Sequence, residues 1–222
     1  VIHSAHLANV GRLVFLGSSC MYPRDAALPL RESCLLSGRF EPTNAPYALA
    51  KCMGAELCRT YRAQYHRDYI SVIPCNLYGP GDRYDVQRGH VIPALMAKMH
   101  DAVRSGAAEV PVWGTGKPLR EFLYSDDAAR AIVMLLEHYS GDAPINLGTG
   151  DEVSIAALAQ MIADVVGFRG TLVFDPAQPD GVVSKRMDVM RVRAMGWHPQ
   201  VSLRDGLAAA YRDYVRGIAD AA

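Results

Sequence analysis

Residues 12–18 read RLVFLGS and residues 69–75 read YISVIPC, and these two stretches decide the fold. Both are short runs rich in β-branched and aromatic residues, which is typical of buried strands in a parallel sheet. Between them, residues 47–65 carry apolar and aromatic side chains at helical spacing and follow Pro46, so we predict a long helix there. The order strand, helix, strand predicts an α/β fold with a doubly wound parallel sheet.

The rest of the chain continues this alternation. The pattern predicts short strands at residues 109–113, 121–124, 144–147 and 172–174. It predicts a helix at residues 90–100 and further helices that end near residues 138, 166 and 215. Ser125, Ser154 and Ser202 have the position and chemistry of N-caps for these last three helices. The last third has shorter strands and more helix, which indicates a smaller second lobe.

Composition limits the classes of function. The chain has 222 residues, of which half are hydrophobic, with 23 Lys plus Arg against 23 Asp plus Glu. This balance gives no overall basic field for nucleic acid or an anionic membrane, so we expect neither partner. No apolar run reaches the roughly 18 to 20 residues that span a bilayer. Five cysteines without a CxxC pair predict a reduced cytoplasmic protein with no disulfide framework and no metal site.

Tyr47 and Lys51 form the strongest local candidate for catalysis. Residues four apart share one face of a helix, so the phenol and the ammonium can approach one site together. A nearby positive charge favours the phenolate, which a tyrosine needs to exchange protons near neutral pH. The spacing alone is also common in surface pairs. Ser18 follows the first strand at the edge where open α/β sheets bind ligands, and it could bind the same substrate oxygen.

At this point the sequence resembles the extended short-chain dehydrogenase/reductases, whose Ser/Thr, Tyr and Lys triad matches Ser18, Tyr47 and Lys51. Three more stretches fit that family: NLYGP at 76–80, REFLYSDD at 120–127 and NLGTG at 146–150. Others resemble, more narrowly, its GDP-L-fucose synthase branch: GSSCMYP at 17–23, EPTN at 41–44, HVIPAL at 90–95, WGTGKPLR at 113–120 and PDG at 179–181. The resemblance covers essentially the whole chain.

The resemblance implies NADPH-dependent 3,5-epimerisation and 4-reduction of GDP-4-keto-6-deoxy-D-mannose to GDP-L-fucose. Epimerisation needs a base and an acid, and the family's cysteine and histidine match Cys20 and His90. Thiols and imidazoles both titrate close to neutral pH, which suits that work. Which of the two is base and which is acid stays open. A buried small cysteine and a polar residue at a helix start are the ordinary alternatives for these positions.

The resemblance also assigns the remaining site residues. Tyr47 would protonate the C4 oxygen, Ser18 would hold it, and Lys51 would favour the phenolate and bind the nicotinamide ribose. The expected cofactor-binding residues are Ser18, Tyr47, Lys51, Pro74, Cys75, Asn76, Leu77 and His90. The expected substrate-binding residues are Lys98, Trp113, Arg120, Asp180 and Lys185. Arginine suits a diphosphate through its bidentate fork and lysine through its charge, whereas Trp113 could equally be an ordinary core residue.

One family feature is absent from the sequence. Nothing resembles the glycine-rich turn that holds the dinucleotide pyrophosphate at a helix N-terminus. We therefore expect a fragment of a longer protein, preceded by three βα units of about 30 residues each. By itself this fragment is expected to bind NADPH poorly and to be inactive. On this basis residues 1–81 and 121–148 are the rest of a dinucleotide-binding domain, and 82–120 and 149–222 a substrate-binding lobe. Homodimerisation of the full-length protein is a family expectation.

Two other hypotheses remain open from the sequence. A C4 epimerase or 4,6-dehydratase of the same fold is one, but dehydratases of this family carry an acidic pair where Ser19 and Cys20 stand. C4 epimerases need no Cys/His pair. The second is a non-catalytic nucleotide-binding module, against which the intact triad of Ser18, Tyr47 and Lys51 speaks.

Overall fold

The computed structural model describes residues 1–86 and 89–220. Its helices are α1 (Ile2–Leu7), α2 (Ala45–Tyr65), α3 (Val91–Ser105), α4 (Ser125–His138), α5 (Ile155–Val166), α6 (Met190–Ala194) and α7 (Leu203–Asp220). Its strands are β1 (Arg12–Leu16), β2 (Asp68–Pro74), β3 (Asn76–Tyr78), β4 (Glu109–Trp113), β5 (Leu119–Arg120), β6 (Phe122–Tyr124), β7 (Ile145–Leu147), β8 (Val153–Ser154) and β9 (Thr171–Asp175).

The chain divides into two compact units. The first consists of Val1–Asn76, Asp127–Gly150 and Lys185–Pro199, and the second of Leu77–Asp126, Asp151–Ser184 and Gln200–Ala222. Each unit is discontinuous in sequence. The assignment of one unit to the dinucleotide and the other to the substrate stays a prediction.

The first unit contains a parallel sheet in the order β1-β2-β7, which confirms the predicted α/β class with parallel strands. Leu16 pairs with Val72, and Pro74 pairs with Leu147. β2 is buried from Tyr69 onward, as expected for a central strand. β1 was predicted to be buried but is only partly so, with Leu16 37% exposed. The reason is that, among the described residues, β1 pairs with β2 and no strand covers its other edge.

α2 packs on β1 and β2 through a face of small residues, namely Ala48, Cys52, Gly54, Ala55 and Cys58. The closest approach is at Gly54, where an added Cβ would lie 2.7 Å from Cε1 of Phe15 and nearer still to two other ring atoms. The small face therefore lets α2 lie close to β1, which ends at Leu16, two residues before Ser18.

Asp68, at the start of β2, interacts with the side chains of three other residues of the first unit. Its carboxylate accepts hydrogen bonds from Arg62 and Ser140, and one of its oxygens lies 3.0 Å from Nε of Arg12. Burial by itself raises the pKa of Asp68, but these bonds and the two arginine charges outweigh it and hold the pKa below its usual value.

The second unit has one hydrophobic core between α3, α5 and the parallel pair β4–β9. Leu158 and Ile162 of α5 are fully buried in it, as are Met96 and Met99 of α3. Two further strand pairs, β3–β6 and the antiparallel β5–β8, complete this unit.

Most predicted helix starts agree with the structure, while two of the predicted ends do not. Ser154 caps α5, with its Oγ accepting from the Ala157 amide at 3.1 Å, and Ser202 Oγ accepts in the same way from Asp205 at 3.1 Å. α4 begins with Ser125 itself. α3 continues past the predicted residue 100 to Ser105, where Gly106 with φ 70° ends it in the left-handed region.

α7 likewise continues to Asp220, beyond the predicted end near residue 215. The pattern missed α6, β3, β8 and three short 3-10 turns at Ser19–Met21, Glu32–Cys34 and Pro42–Asn44. Among the described residues, no helix is both long and apolar enough to cross a bilayer.

Candidate active site

Gly17 lies between the carboxyl end of β1 and the 3-10 turn Ser19–Met21. The Gly17 amide donates to the Val72 carbonyl at 2.7 Å, and a Cβ on Gly17 would lie 2.7 Å from the Met21 sulfur. Glycine therefore permits the close turn that follows the strand. Ser18 is the N-cap of the next 3-10 turn, and its Oγ accepts a hydrogen bond from the Cys20 amide at 3.2 Å. The turn places Ser18 and Cys20 directly after the strand.

Tyr47 and Lys51 lie on one face of α2. The Lys51 ammonium is 5.6 Å from the centroid of the Tyr47 ring and 5.4 Å from that of Phe15. Its Nζ also donates to the carbonyl of Leu16 at 2.9 Å, which ties the helix to the end of β1. Tyr47 itself is 50% exposed. The structure thus brings the phenol, the ammonium and the carboxyl end of β1 into one part of the first unit.

The sulfur of Cys20 has two nitrogen neighbours. Nδ2 of Asn44 donates to Sγ at 3.3 Å, and Nζ of Lys185 lies 3.8 Å from Sγ. Lys185 was predicted as a substrate ligand, and the structure places its amine beside the thiol. The sequence gave Asn44 no role of its own. Both nitrogens are donors, so the sulfur is the acceptor of both contacts.

The residues after β2 lie at the same sheet edge. Because Leu16 pairs with Val72, the ends of the two strands are neighbours in the sheet. Cys75 is buried, and its amide donates to the Leu147 carbonyl at 2.9 Å. Asn76 is half-buried, and Leu77, which belongs to the second unit, is 36% exposed. The contact of Pro74, Cys75, Asn76 and Leu77 with a cofactor stays a prediction.

A buried amide organises the segment that follows Cys20. Tyr22 donates from its hydroxyl to Oδ1 of Asn146 at 2.6 Å, and Nδ2 of Asn146 donates to the carbonyls of Leu30 and Asp188 at 2.9 and 3.0 Å. Burial, with the nearby charge of Glu32, raises the pKa of Tyr22 far above its usual value, so Tyr22 stays a neutral donor. The sequence showed Asn146 only as part of NLGTG.

His90 lies in the second unit at the start of α3. It is the N-cap residue, it is exposed, and its carbonyl accepts from the Ala94 amide at 3.0 Å. Its side chain makes no capping bond within the described part of the chain. His90 and Cys20 belong to different units, and their cooperation stays a prediction.

Lys98 and Trp113 form a pair in the second unit. The ammonium of Lys98 lies 5.2 Å from the indole centroid and donates to the Pro111 carbonyl at 3.3 Å. Burial lowers the pKa of Lys98. Trp113 is 52% exposed, so it is not a core residue, which was the alternative left open by the sequence.

Arg120 and Asp180 are joined through the segment around residues 180–182. The Arg120 guanidinium donates to the carbonyl of Asp180 at 3.2 Å and to that of Val182 at 2.8 Å. The Asp180 carboxylate accepts from the amide and the hydroxyl of Thr115, both at 2.7 Å. These two bonds hold the pKa of Asp180 below its usual value. A side chain on Gly114, whose φ is 81°, would collide with this carboxylate.

The donor groups of the first unit fit the nicotinamide end of a dinucleotide. Ser18 and Tyr47 offer hydroxyls and Lys51 an ammonium, and these are the groups that bind ribose hydroxyls and a carboxamide. Within the described ranges, no group of three or more His, Cys, Asp or Glu side chains could hold a metal ion.

Comparison with known proteins agrees with this arrangement. Residues 1–148 match the model of the NAD dependent epimerase/dehydratase family. The chain is 50% identical over 213 residues to the probable GDP-L-fucose synthase 1 of Oryza sativa subsp. japonica, covering 96% of this chain and 65% of that protein. It is 50% identical over 218 residues to GDP-L-fucose synthase 1 of Arabidopsis thaliana, covering 98% and 68%. The chain therefore spans about two thirds of the length of these curated relatives.

A solved structure supports the same relationship. The crystal structure of a GDP-L-fucose synthetase from Naegleria fowleri bound to NADP matches with a TM-score of 0.92 and 32% identity, covering 98% of this chain and 70% of that one. The fold, the arrangement of Ser18, Tyr47 and Lys51, and the near-complete coverage by these relatives lead to one conclusion: the chain belongs to the NAD dependent epimerase/dehydratase family and, within it, to the GDP-L-fucose synthase group.

Proposed function

We propose that the protein catalyses NADPH-dependent 3,5-epimerisation and 4-reduction of GDP-4-keto-6-deoxy-D-mannose, which yields GDP-L-fucose. The observation that carries the proposal is the placement of Cys20 two residues after Ser18, in the unit that also holds Tyr47 and Lys51. The Ser/Tyr/Lys set serves a ketone reduction, and a thiol beside it adds a group that can exchange a proton with carbon. The names of the relatives point to the same reaction.

The reduction step assigns one role to each hydroxyl. NADPH, when bound, supplies the hydride that adds to C4. Tyr47 gives the C4 oxygen its proton, and Lys51 stabilises the phenolate that remains. Because Ser18 Oγ already accepts from the Cys20 amide, the hydroxyl hydrogen of Ser18 can point to the C4 oxygen. The two hydroxyls thus stabilise the negative charge that develops on this oxygen.

The epimerisation step uses the same oxygen. C3 and C5 both lie beside the C4 ketone, so removal of a proton from either carbon gives an enolate whose charge lies on the C4 oxygen. Ser18 and Tyr47 would stabilise that charge by hydrogen bonding. One of Cys20 and His90 would remove the proton from one face of the sugar, and the other would deliver a different, solvent-derived proton to the opposite face. The two nitrogen donors at the Cys20 sulfur support its assignment to proton transfer.

We propose that side chains of the second unit bind the GDP part of the substrate. Lys98 and Arg120 supply positive charge for the diphosphate. The half-exposed indole of Trp113 offers a flat apolar surface beside that charge. Asp180 holds the adjoining turn through Thr115 and is also a candidate ligand for the sugar nucleotide, as is Lys185 in the first unit.

We also propose that the protein is a cytoplasmic homodimer. Leu49, Met53 and Leu57 of α2 are 54%, 59% and 40% exposed, and this apolar stripe supports association through α2. The five free cysteines support a reducing compartment. Light scattering with the Met53→Lys variant tests the dimer: we expect the mass to fall to that of one chain, and an unchanged mass would exclude this interface.

Substitution of Cys20 and His90 tests the proposed reaction. The experiment follows deuterium incorporation at C3 and C5 in D2O by the protein expressed from its complete gene. Cys20→Ser and His90→Asn should each reduce this incorporation or abolish it. Incorporation at the wild-type rate in both variants would reject their assigned roles. A product whose configuration is changed at C4 alone would indicate a C4 epimerase.

A further inference from the structure

Asn44 occupies a capping position without capping. It is the N-cap residue of α2, a position where asparagine normally accepts a hydrogen bond from the first turn. Its side chain makes no such bond. Instead, Nδ2 donates to the sulfur of Cys20 at 3.3 Å. The Asn44 side chain therefore bonds to Cys20 and does not cap α2.

The other end of the same amide is unsatisfied. Oδ1 of Asn44 is buried and has no hydrogen-bond partner in the part of the chain that the structure describes. Buried polar atoms without a partner are rare, and each one calls for an explanation. A half-turn of the amide about the Cβ–Cγ bond would exchange Oδ1 and Nδ2 and would bring the oxygen to the sulfur.

The two orientations match the two protonation states of Cys20. A thiolate accepts a hydrogen bond from Nδ2, whereas a thiol donates its hydrogen to Oδ1. Lys185, at 3.8 Å from the sulfur, has no acceptor and so cannot take the hydrogen of a thiol. Of the two nitrogen-bearing neighbours, only Asn44 can both donate to the sulfur and accept its hydrogen.

We infer that Asn44 is a positioning residue for Cys20, which holds the sulfur in place by turning its amide as the sulfur loses or regains its proton. The inference rests on the proposed function, because it concerns the cysteine that exchanges protons with the sugar. When Cys20 takes a proton from the sugar, the C–H bond breaks, an S–H bond forms, and the electron pair of the broken bond passes to the C4 oxygen as the enolate; the reverse step returns a proton to carbon. A proton moves between Cys20 and carbon, and Asn44 neither gains nor loses one.

Two substitutions separate this role from a structural one. Asn44→Ala removes both ends of the amide. Asn44→Asp keeps the shape, removes the donor and adds a negative charge beside the sulfur. Because Asn44 makes no capping bond, neither change takes a hydrogen bond from α2. Thr43→Ala, an exposed neighbour in the same turn, is the matched control.

The measurement is the alkylation rate of each cysteine by iodoacetamide between pH 6 and 9.5, followed by peptide mass spectrometry. Loss of a hydrogen bond to a charged group should slow Cys20 alkylation at pH 7 on the order of tenfold in Asn44→Ala and more in Asn44→Asp. The midpoint of its pH profile should move upward. Cys34, the other partly accessible thiol, and the Thr43→Ala protein should keep their wild-type profiles.

A change in access alone would scale the rate equally at every pH, so an unshifted midpoint in both Asn44 variants overturns the inference. Circular dichroism shows whether each variant is folded, and either one suffices for the test. The proposed function is tested separately, since alkylation needs no substrate. If Cys20→Ser keeps full deuterium incorporation, the proposed function fails. If only the profile midpoints stay unchanged, the role of Asn44 fails.

Discussion

Gly54→Ala should destabilise the protein, although alanine is the better helix former. In the interior of a helix this change alone would add about 1 kcal/mol of stability. At Gly54, however, the new Cβ would overlap the ring of Phe15, with Cε1 2.7 Å away and two ring atoms nearer. The ring can escape only by leaving its packing on α2 and its contact with Lys51. Overpacking of this kind costs about 1–3 kcal/mol.

The balance predicts a net loss of about 1 kcal/mol for Gly54→Ala. In a chain of this size that corresponds to a thermal midpoint about 2–4 °C lower, measured by circular dichroism. Gly217→Ala is the matched control, because Gly217 also lies in a helix and an added Cβ would meet nothing within 4 Å in the described structure. Its midpoint should rise by up to a few degrees.

If Gly54→Ala melted at or above the wild-type temperature while Gly217→Ala rose as expected, the close packing of α2 on β1 would be refuted. That packing is what brings Lys51 to the carbonyl of Leu16. The result would therefore also remove the support for the placement of Tyr47 and Lys51 near the end of β1.

Three further predictions concern the first unit. Tyr47→Phe should lower the rate of C4 reduction by about 10²–10⁴, measured from NADPH oxidation by the complete protein, while thermal stability stays within a degree or two; full activity would exclude Tyr47 as the acid. Asp68→Asn should cost about 1 kcal/mol in urea unfolding at pH 7, after screening by solvent. Because folding lowers the pKa of Asp68, its stabilisation is full above the unfolded value and is lost as pH falls through the folded value. The difference between the variant and the wild type should therefore shrink as pH falls through and below the ordinary range of an aspartate, and a difference that stays constant over this range would contradict the prediction. Asn146→Leu should cost about 3 kcal/mol, since it removes the partner of the Tyr22 hydroxyl and of the Asp188 carbonyl, and one of the two donors to the Leu30 carbonyl; a midpoint unchanged in urea would show that this network is dispensable.

Much of the fold could be predicted from local pattern. The alternation of strands and helices, the N-caps at Ser154 and Ser202, and the parallel pairing of β1 with β2 all follow from residue type and spacing. The partial exposure of β1 could not be predicted from residue type and spacing, because burial depends on which strands and helices surround the strand. The sequence did contain a signal for the end of α3, because Gly106 follows Arg104 in the last turn of the helix. The prediction of a helix that ends at residue 100 did not use this signal.

The candidate site divides in the same way. The i, i+4 spacing of Tyr47 and Lys51 required their proximity, and the structure shows it. The contacts of Cys20 with Asn44 and Lys185 join residues that are 24 and 165 positions apart, and no local pattern specifies such contacts. Likewise, the two bonds from Thr115 to Asp180 depend on a turn that only the folded chain forms.

The central claim is that one protein both epimerises and reduces its substrate, and a single reaction in D2O tests it most directly. The protein expressed from its complete gene is incubated with GDP-4-keto-6-deoxy-D-mannose and NADPH, and the product is examined by NMR. We expect GDP-L-fucose that carries deuterium at C3 and C5 and the transferred hydride at C4. A reduced product that keeps its original hydrogens and configuration at C3 and C5 would contradict the account.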